Sequence, residues 1–389
     1  MKRKISLGIT GSIAAYKGAE IASGLTQAGY DVQVVMTANA VKFITPLTLE
    51  TLTKNKVYVD MFEDEDHTRV THISLATESE LILIAPASYN IIAKAANGIA
   101  DDLLSTILAA ANWNKVMFAP AMNVNMYHNP INLANIQKLQ QYGCRFIEPD
   151  EGILACGAIA KGRLKNVSAI LEAVNSFFCE KLLRNKKVLI SAGATREYID
   201  PIRFISNTSS GLMGVSLANA CRDMGADVTL VLANSPWDVN GVKTIRVDTV
   251  AQMRATVIQE FANADYVFAA AAVSDYKPKQ FSHTKIKKTG ATMSVEFEEN
   301  TDILAELGRL KQKQILIGFA AESDDLFANA RSKLNKKNLD LIIANDLSNF
   351  AAQEGKVWLI GPDKTIELEK KPKEELAYDI VRTIFKVGG

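Results

Sequence analysis

The stretch Ser191–Gly214, SAGATREYIDPIRFISNTSSGLMG, gathers the residues best suited to hold an anion. Its small hydroxyl and amide side chains let backbone N–H groups approach phosphate oxygens, and the helical pattern starting at Leu212 adds a partly positive N-terminus. Arg196 and Arg203 bring cations able to make charge-assisted hydrogen bonds. A loop of this length without regular structure is uncommon unless it is functional or disordered. Downstream, the cluster Lys285-Ile286-Lys287-Lys288 and the run Lys333–Asp340 carry more positive charge. Such clusters are ordinarily solvated faces; beside an anion loop they suit a polyphosphate.

A second phosphate signal lies near the start, where Gly8-Ile9-Thr10-Gly11-Ser12-Ile13 joins an apolar run to a helical pattern. Gly11 permits a tight turn, and Ser12 with the N–H groups from Ile13 onward can receive a phosphate. The spacing is not GxGxxG. The second strand ends Val35-Met36-Thr37, without the acidic residue that holds a ribose diol. A terminal monophosphate therefore fits better than a nicotinamide dinucleotide. The later loops Ala85–Asn90, Asn97–Ser105 and Pro120–Tyr127 offer Ser88, Ser105, Met122 and Asn123. With Thr37, these hydroxyls, amides and thioethers suit a flat heterocycle and its phosphate.

The elements that must position these residues alternate between strand and helix patterns, which predicts parallel α/β layers. In the first half, strands are expected at Lys4–Ile9, Asp31–Met36, Leu81–Ala85, Lys115–Ala119 and Arg145–Ile147, with helices at Ala14–Ala28, Asn90–Asn97, Asp101–Asn112, Asn132–Tyr142 and Ala169–Leu183. The grammar restarts after Leu183, so two doubly wound domains are expected, 1–183 and 184–389. The second has strands at Lys187–Ser191, Asp227–Leu232, Tyr266–Ala271, Ile315–Phe319 and Leu339–Ala344, then a hairpin from Val357 to Leu368 and a last helix, Lys373–Phe385.

With 389 residues each domain can bury its own core. The balance of 44 basic against 43 acidic residues gives no footprint for nucleic acid or an acidic membrane. No uninterrupted apolar run is long enough to span a bilayer. The basic N-terminus is broken by Gly8, Gly11, Ser12 and Lys17, unlike a signal peptide. Cys144, Cys156, Cys179 and Cys221 are scattered without metal spacing, which predicts reduced thiols and a cytoplasmic protein.

Three segments, GSIAAYK, PASYNIIAKAANGIADDLLS and PAMNVNMY, resemble the flavoprotein family of cysteine decarboxylases. The resemblance implies a flavodoxin-like or Rossmann-like domain that binds FMN and decarboxylates a peptidyl or phosphopantothenoyl cysteine. Val70-Thr71-His72-Ile73-Ser74 matches that family's His-Ile motif, which makes His72 the acid/base, and Asn123 matches the asparagine that holds the substrate carboxylate. Glu151–Gly157 is similar to its substrate flap, ending at Lys161-Gly162-Arg163; Cys156 is then the proton donor and Arg163 a substrate contact. The implied chemistry has no net oxidation: the substrate's cysteinyl side chain is oxidised, loses carbon dioxide and is reduced again. Ala158-Ile159-Ala160 is more apolar than the family pattern.

The anion loop resembles the phosphopantothenate–cysteine ligase family, as do AAAVSDY (270–276), KIKK (285–288), GFAAE (318–322) and Lys333–Asp346. It implies a Rossmann-like ligase domain that activates a carboxylate with CTP and Mg²⁺ or Mn²⁺. The carboxylate attacks the α-phosphate, and the amine of cysteine then displaces CMP from the acyl-cytidylate. By this likeness Lys285, Lys333 and Lys337 surround the triphosphate, and Ala271, Asp275, Thr301, Asp302, Ile303 and Phe319 belong to the nucleotide site. Asp275 is the carboxylate nearest the metal, Asn207 contacts the activated acyl group, and Arg203 lies in the same loop. Departures from the pattern are Thr301 for proline, Ala194 for glycine, Tyr198 for proline and Leu212 for lysine.

Together the two resemblances cover the chain and imply a bifunctional enzyme of coenzyme A biosynthesis acting on small molecules. They also imply a homo-oligomer, trimeric through the flavin domains and dimeric through the ligase domains. A flavin-binding regulatory protein that has lost catalysis is opposed by the joint presence of His72, Asn123 and Cys156. A nicotinamide-dependent oxidoreductase is opposed by the missing acidic residue after the second strand.

Overall fold

The run Leu81–Ala87 is buried at every residue, as expected of a strand covered on both faces of a parallel sheet. A computed structural model describes residues 2–62, 70–153, 159–288, 292–322, 325–346 and 354–387. The chain divides into two units, Met1–Phe177 and Phe178–Gly389. The first opens with β1 (Lys4–Ile9), α1 (Lys17–Gln27), β2 (Asp31–Met36), α2 (Pro46–Thr53), β3 (Val57–Tyr58), α3 (Thr71–Glu78) and β4 (Leu81–Ala87). It continues with α4 (Tyr89–Asn97), α5 (Leu103–Ala110), β5 (Val116–Pro120), α6 (Val124–Tyr127), α7 (Pro130–Gln141) and β6 (Arg145–Phe146). A hairpin, β7 (Asp150–Ile153) and β8 (Ile159–Arg163), precedes α8 (Val167–Phe178), at whose end the chain passes to the second unit.

The six strands β3-β2-β1-β4-β5-β6 form one parallel sheet. Strand order reverses between β1 and β4, the place where open α/β sheets leave a crevice beyond the strand ends. Several helices have legible boundaries. Pro46 starts α2, Gly98 ends α4 at φ 68°, and Asp102 caps α5 in a box closed by Ser105.

The second unit follows the same plan. Its elements are β9 (Lys187–Gly193), β10 (Arg196–Tyr198), β11 (Phe204–Ser206), α9 (Leu212–Asp223), β12 (Asp227–Ala233), β13 (Lys243–Val247), α10 (Val250–Phe261), β14 (Tyr266–Ala269), β15 (Tyr276–Pro278) and β16 (Phe297–Glu299). Then come α11 (Ile303–Leu310), β17 (Ile315–Glu322), α12 (Leu326–Lys336), β18 (Leu341–Asp346), β19 (Glu354–Ile360), β20 (Thr365–Pro372) and α13 (Lys373–Val387). Its eight-stranded sheet runs β13-β12-β9-β14-β17-β18-β19-β20. It is parallel as far as β18 and antiparallel through β19 and β20. Order again reverses, between β9 and β14.

The expected layers and strands are present, with local differences. The helix expected over Ala169–Leu183 ends at Phe178, because Cys179 and Leu183 are drawn into the second unit's core and Leu183 donates its N–H to Met224. Short pieces without a period of their own were not expected: α2, β3, β13 and the ribbons β10–β11 and β15–β16. Asp223 is buried beneath α13, accepting from the Tyr378 hydroxyl at 2.5 Å and the Arg222 guanidinium at 2.8 Å. That pairing satisfies a carboxylate that would otherwise be costly to bury.

Gly193 ends β9 at φ 81°, and a Cβ there would lie 1.7 Å from the carbonyl oxygen of Ala233. The neighbouring β12 backbone cannot give way without losing its ladder. Gly193→Ala is therefore expected to destabilise the second unit by about 3 kcal/mol or more, read as a drop in its thermal or urea midpoint.

Candidate functional site

In the first unit the crevice between β1 and β4 is stitched by Thr10. Its Oγ1 donates to the carbonyl of Pro86 at 2.6 Å and accepts from the N–H of Ser88 at 2.9 Å. Ser88 stands at the start of α4 with extended dihedrals, so its hydroxyl and the first turn's N–H groups border the crevice. Gly11 packs against the loop after β2, where a Cβ would meet Asn39 Cβ at 2.5 Å. Thr37 accepts the N–H of Ala40 in that loop. Ser12 Oγ accepts from Ala14 N at 3.3 Å and donates to the carbonyl of Ala121 at 3.4 Å, and Ile13 beside it is exposed. Residues from the ends of β1, β2 and β4 thus converge, and the donor set suits a phosphate with an attached ring.

Ser105 closes the N-terminal cap of α5. It is buried, and its hydroxyl is engaged with Asp102, donating to the carboxylate at 2.9 Å and accepting the backbone N–H at 3.0 Å. Lys94 ties this corner together through Asp101 at 2.5 Å and Asp102 at 2.8 Å. Burial would raise the Asp102 carboxyl, but Lys94 and the Ser105 bonds outweigh it and hold it below its ordinary value.

Asn123 caps α6, its Oδ1 accepting the N–H of Asn125 at 2.9 Å. The expected flap is the antiparallel hairpin β7–β8, with Ile153 paired to Ile159 and Asp150 to Arg163. It is fastened to the β5 loop by Met122, whose N–H donates to the carbonyl of Gly162 at 3.0 Å. Gly162 has φ 150°, and a Cβ would lie 2.4 Å from Met122 O, so this approach requires glycine. Arg163 crosses Gly152 within the hairpin. His72 sits in the first turn of α3, half-buried. Cys156 lies outside the described residues. The other thiols are buried: Cys144 is pushed up to about 12 by burial, and Cys179 and Cys221 are also raised by it. None of these three has the electropositive, open setting of a reactive cysteine.

In the second unit a cavity of about 490 Å³ opens beside the ends of β9, β14 and β17. Asn207, Ala271, Asp275, Thr301, Asp302, Ile303, Phe319 and Lys337 all line it. The sequence placed these residues together on motif likeness, and tertiary structure brings them to one wall. Asn207 Nδ2 donates to Val273 O at 2.9 Å, which fixes its amide on the cavity wall. Asp302 does two jobs: Oδ1 caps α11 through Ala305 N at 2.9 Å, and Oδ2 pairs with Lys337 Nζ at 2.8 Å. Burial raises the Asp302 carboxyl, yet the Lys337 ammonium and the cap hold it below its ordinary value. Thr301 therefore replaces the expected proline without loss of the helix cap. Ala194 is unstrained, paired as a bridge to Ala272, and Leu212 is buried in the first turn of α9.

Arg203, Lys285 and Lys333 do not line that cavity. Arg203 is held by Asp200 at 2.8 Å and donates to the carbonyl of Ile286 at 3.2 Å. Asp200 is wholly buried and also accepts the N–H groups of Ile202, Arg203 and Ile286. Together they clamp the segment carrying Lys285, which is exposed. Lys333 is half-buried on α12, one turn before Lys337. Sequence reasoning missed Asp200, Thr195 and Asn300. Asp200 stands between apolar residues and Thr195 follows Ala192-Gly193-Ala194, which was the signal for these two; Asn300, among Glu298, Glu299, Thr301 and Asp302, carried none. A second cavity of about 190 Å³, lined by Ser209, Ser210, Asn345 and Lys373, shares Ala271, Ala272 and Phe319 with the first. Among the described residues no cluster of three or more His, Cys, Asp or Glu could hold a metal ion by itself. A cation at Asp275 would take its other ligands from phosphate and water, which suits Mg²⁺.

Two doubly wound units, each with a polar crevice at its reversal of strand order, define a tandem flavodoxin-like and Rossmann-like α/β protein. The family model described as Flavoprotein matches residues 1–179, and that described as DNA/pantothenate metabolism flavoprotein C-terminal domain matches 183–387. The coenzyme A biosynthesis bifunctional protein CoaBC of Borreliella burgdorferi is 45% identical over 388 residues, covering 98% of this chain and 99% of that one. That of Bacillus subtilis is 42% identical over 394 residues, with 98% and 96% covered. A cysteine/cysteine sulfinic acid decarboxylase from an unknown prokaryotic organism is 43% identical over 357 residues, with 88% and 98% covered. The chain belongs to the family of bifunctional coenzyme A biosynthesis proteins.

The Asp200 carboxyl is depressed: burial opposes this, but three backbone N–H bonds and Arg203 outweigh it. Its contribution is therefore complete above the ordinary value of 3.8 and is lost as pH falls through the lower folded value. Acid unfolding below about pH 4 is expected to be steeper for the wild type than for Asp200→Asn, while the variant is less stable at pH 7. Urea titrations at stepped pH check both.

Proposed function

We propose that the second unit joins 4′-phosphopantothenate to cysteine at the expense of CTP and that the first decarboxylates the 4′-phosphopantothenoylcysteine formed. The observation that carries the ligase half is the convergence of Asn207, Asp275, Asp302, Phe319 and Lys337 on one cavity. Its wall can hold a nucleotide triphosphate with Lys337, bring a metal-bound phosphate to Asp275 and present Asn207 to the acyl group. Lys285 and Lys333 supply further charge around the triphosphate. A free carboxylate is a poor acyl donor, so activation as the acyl-cytidylate is what the cysteine amine requires.

In the first unit the crevice at Thr10, Gly11, Ser12 and Ser88 would hold FMN through its phosphate, with Thr37 and Met122 nearby. Bound FMN supplies the reversible two-electron chemistry that makes decarboxylation feasible. The chain's own residues do the rest. Asn123 orients the substrate carboxylate, His72 exchanges a proton, and the β7–β8 flap covers the substrate while its Cys156 donates the final proton. The flap's attachment through Gly162 and Met122 places it against the Asn123 loop, which supports this arrangement.

The proposal includes a cytoplasmic enzyme assembled through trimers of the first unit and dimers of the second. Among the described residues no helix is long and apolar enough to cross a membrane. Light scattering of the purified chain is expected to give a mass well above a dimer; a monomer would remove the assembly from the proposal.

The deciding experiment supplies phosphopantothenate, cysteine, CTP and Mg²⁺ to the purified protein. Expected products are CMP, pyrophosphate, carbon dioxide and 4′-phosphopantetheine. Carbon dioxide from free cysteine alone would instead make the first unit an amino-acid decarboxylase. His72→Asn is expected to accumulate the cysteine adduct, with decarboxylation down by about 10²-fold or more and ligation unchanged. Loss of both reactions in that variant contradicts two separable sites.

A further inference from the structure

We propose that Thr195 is a positioning residue for the nucleotide site, holding the two walls of the crevice at a fixed separation, and that Thr10 is the same device in the first unit. The inference rests on the ligase reading of the second unit for its kinetic readout, but not for its geometry.

Thr195 is wholly buried, just beyond β9. Its Oγ1 accepts the N–H of Ser274 at 3.0 Å, and its carbonyl accepts from the hydroxyl of Ser206 at 2.8 Å. Each of these serines immediately precedes a residue that lines the cavity, Asn207 after Ser206 and Asp275 after Ser274. The network closes around it. Asn207 Nδ2 donates to Val273 O at 2.9 Å, Asn300 Nδ2 donates to Ser274 O at 3.0 Å, and Asn300 N donates to Asp275 O at 2.7 Å. One buried side chain and its own carbonyl therefore join the loop that carries Asn207 to the loop that carries Asp275.

The first unit repeats the arrangement. Thr10 is buried immediately after β1, and its Oγ1 accepts from Ser88 N at 2.9 Å while donating to Pro86 O. In each unit the hydroxyl lies past the first strand. In each it takes the N–H of a serine past the neighbour across the reversal, 78 residues on in one case and 79 in the other. The physical need is shared. Where adjacent parallel strands turn apart, the next backbone N–H has no ladder partner, and leaving it buried and unpaired is costly. A threonine hydroxyl meets that N–H and so sets the width of the crevice. Valine fills the same space without an acceptor; serine keeps the acceptor without the methyl.

The test uses the full chain carrying Thr195→Val or Thr195→Ser. Ligation gives kcat and KM for CTP, calorimetry with CTP alone gives nucleotide affinity, and flavin absorbance and the thermal transition report on the rest of the fold. Thr195→Val is expected to lower kcat by about tenfold or more through misplacement of Asn207 and Asp275, and to weaken CTP binding, with flavin absorbance retained. Thr195→Ser is expected to recover to within about threefold of wild type, because the acceptor is kept. In the first unit Thr10→Val is expected to raise the FMN dissociation constant about tenfold, read by flavin fluorescence, with Thr10→Ser near wild type. Wild-type kcat and CTP affinity in Thr195→Val overturn the proposal. So does a serine variant as impaired as the valine one, which would indicate packing alone, or a valine variant that loses flavin absorbance and ligation together. If the wild type does not ligate, the ligase reading fails, and calorimetry with CTP alone still decides the role of Thr195.

Discussion

Parallel strands that part company at a reversal of strand order leave backbone groups with no ladder to join. Both sheets face this constraint, between β1 and β4 and between β9 and β14, and each unit places its functional loops there. The ladder ends, the chain turns to opposite faces of the sheet, and the gap must be lined by groups that satisfy the freed N–H and C=O groups. Small hydroxyl and amide residues do this without filling the space. The resulting crevice is polar, preformed and backed by apolar strands such as Leu81–Ala87. Such an environment suits phosphates and heterocycles.

Charge in the second unit is arranged by the same logic of satisfied burial. Asp200 is inside the protein, yet it is ionised because three N–H groups and Arg203 surround it. This buried carboxylate orders a loop and fixes the approach of the lysine segment beside it. Lys337 is in a different position. Its pairing with Asp302 is partly exposed, and exposed ion pairs contribute only about 1 kcal/mol or less. An ammonium paired in this way can exchange its partner for a more highly charged anion. Arg203 is thus tied to a buried carboxylate and Lys337 to a partly exposed one, although both appear in ion pairs.

Much of the fold was legible because the long strands and helices carry strong periodic patterns. Asp31–Met36 and Asn90–Asn97 fall within a residue or so of expectation. Short elements were not legible. α3 begins one residue before His72, and its eight residues have too few apolar positions to set a period. β10 and β11 exist because they pair with each other, from Arg196–Ser206 to Tyr198–Phe204. The site divides similarly. Motif likeness assembled the residues around Asn207 and Asp275, but it gave no sign that Arg203 is bonded to Asp200 and Ile286 or that Ser105 closes a helix cap.

By itself, then, the sequence determined two α/β units, the chemical classes their loops could bind, and the residue types available for catalysis. These are properties of local pattern and composition, which each segment carries with it. Tertiary structure alone decided which hydroxyl meets which N–H across the reversal of each sheet. It also decided which cations are spent on buried carboxylates and which line a cavity. Those outcomes depend on strand order and on contacts between residues far apart in the chain. The free energy of burying a polar group is set by the partner it meets, and no single segment encodes that partner.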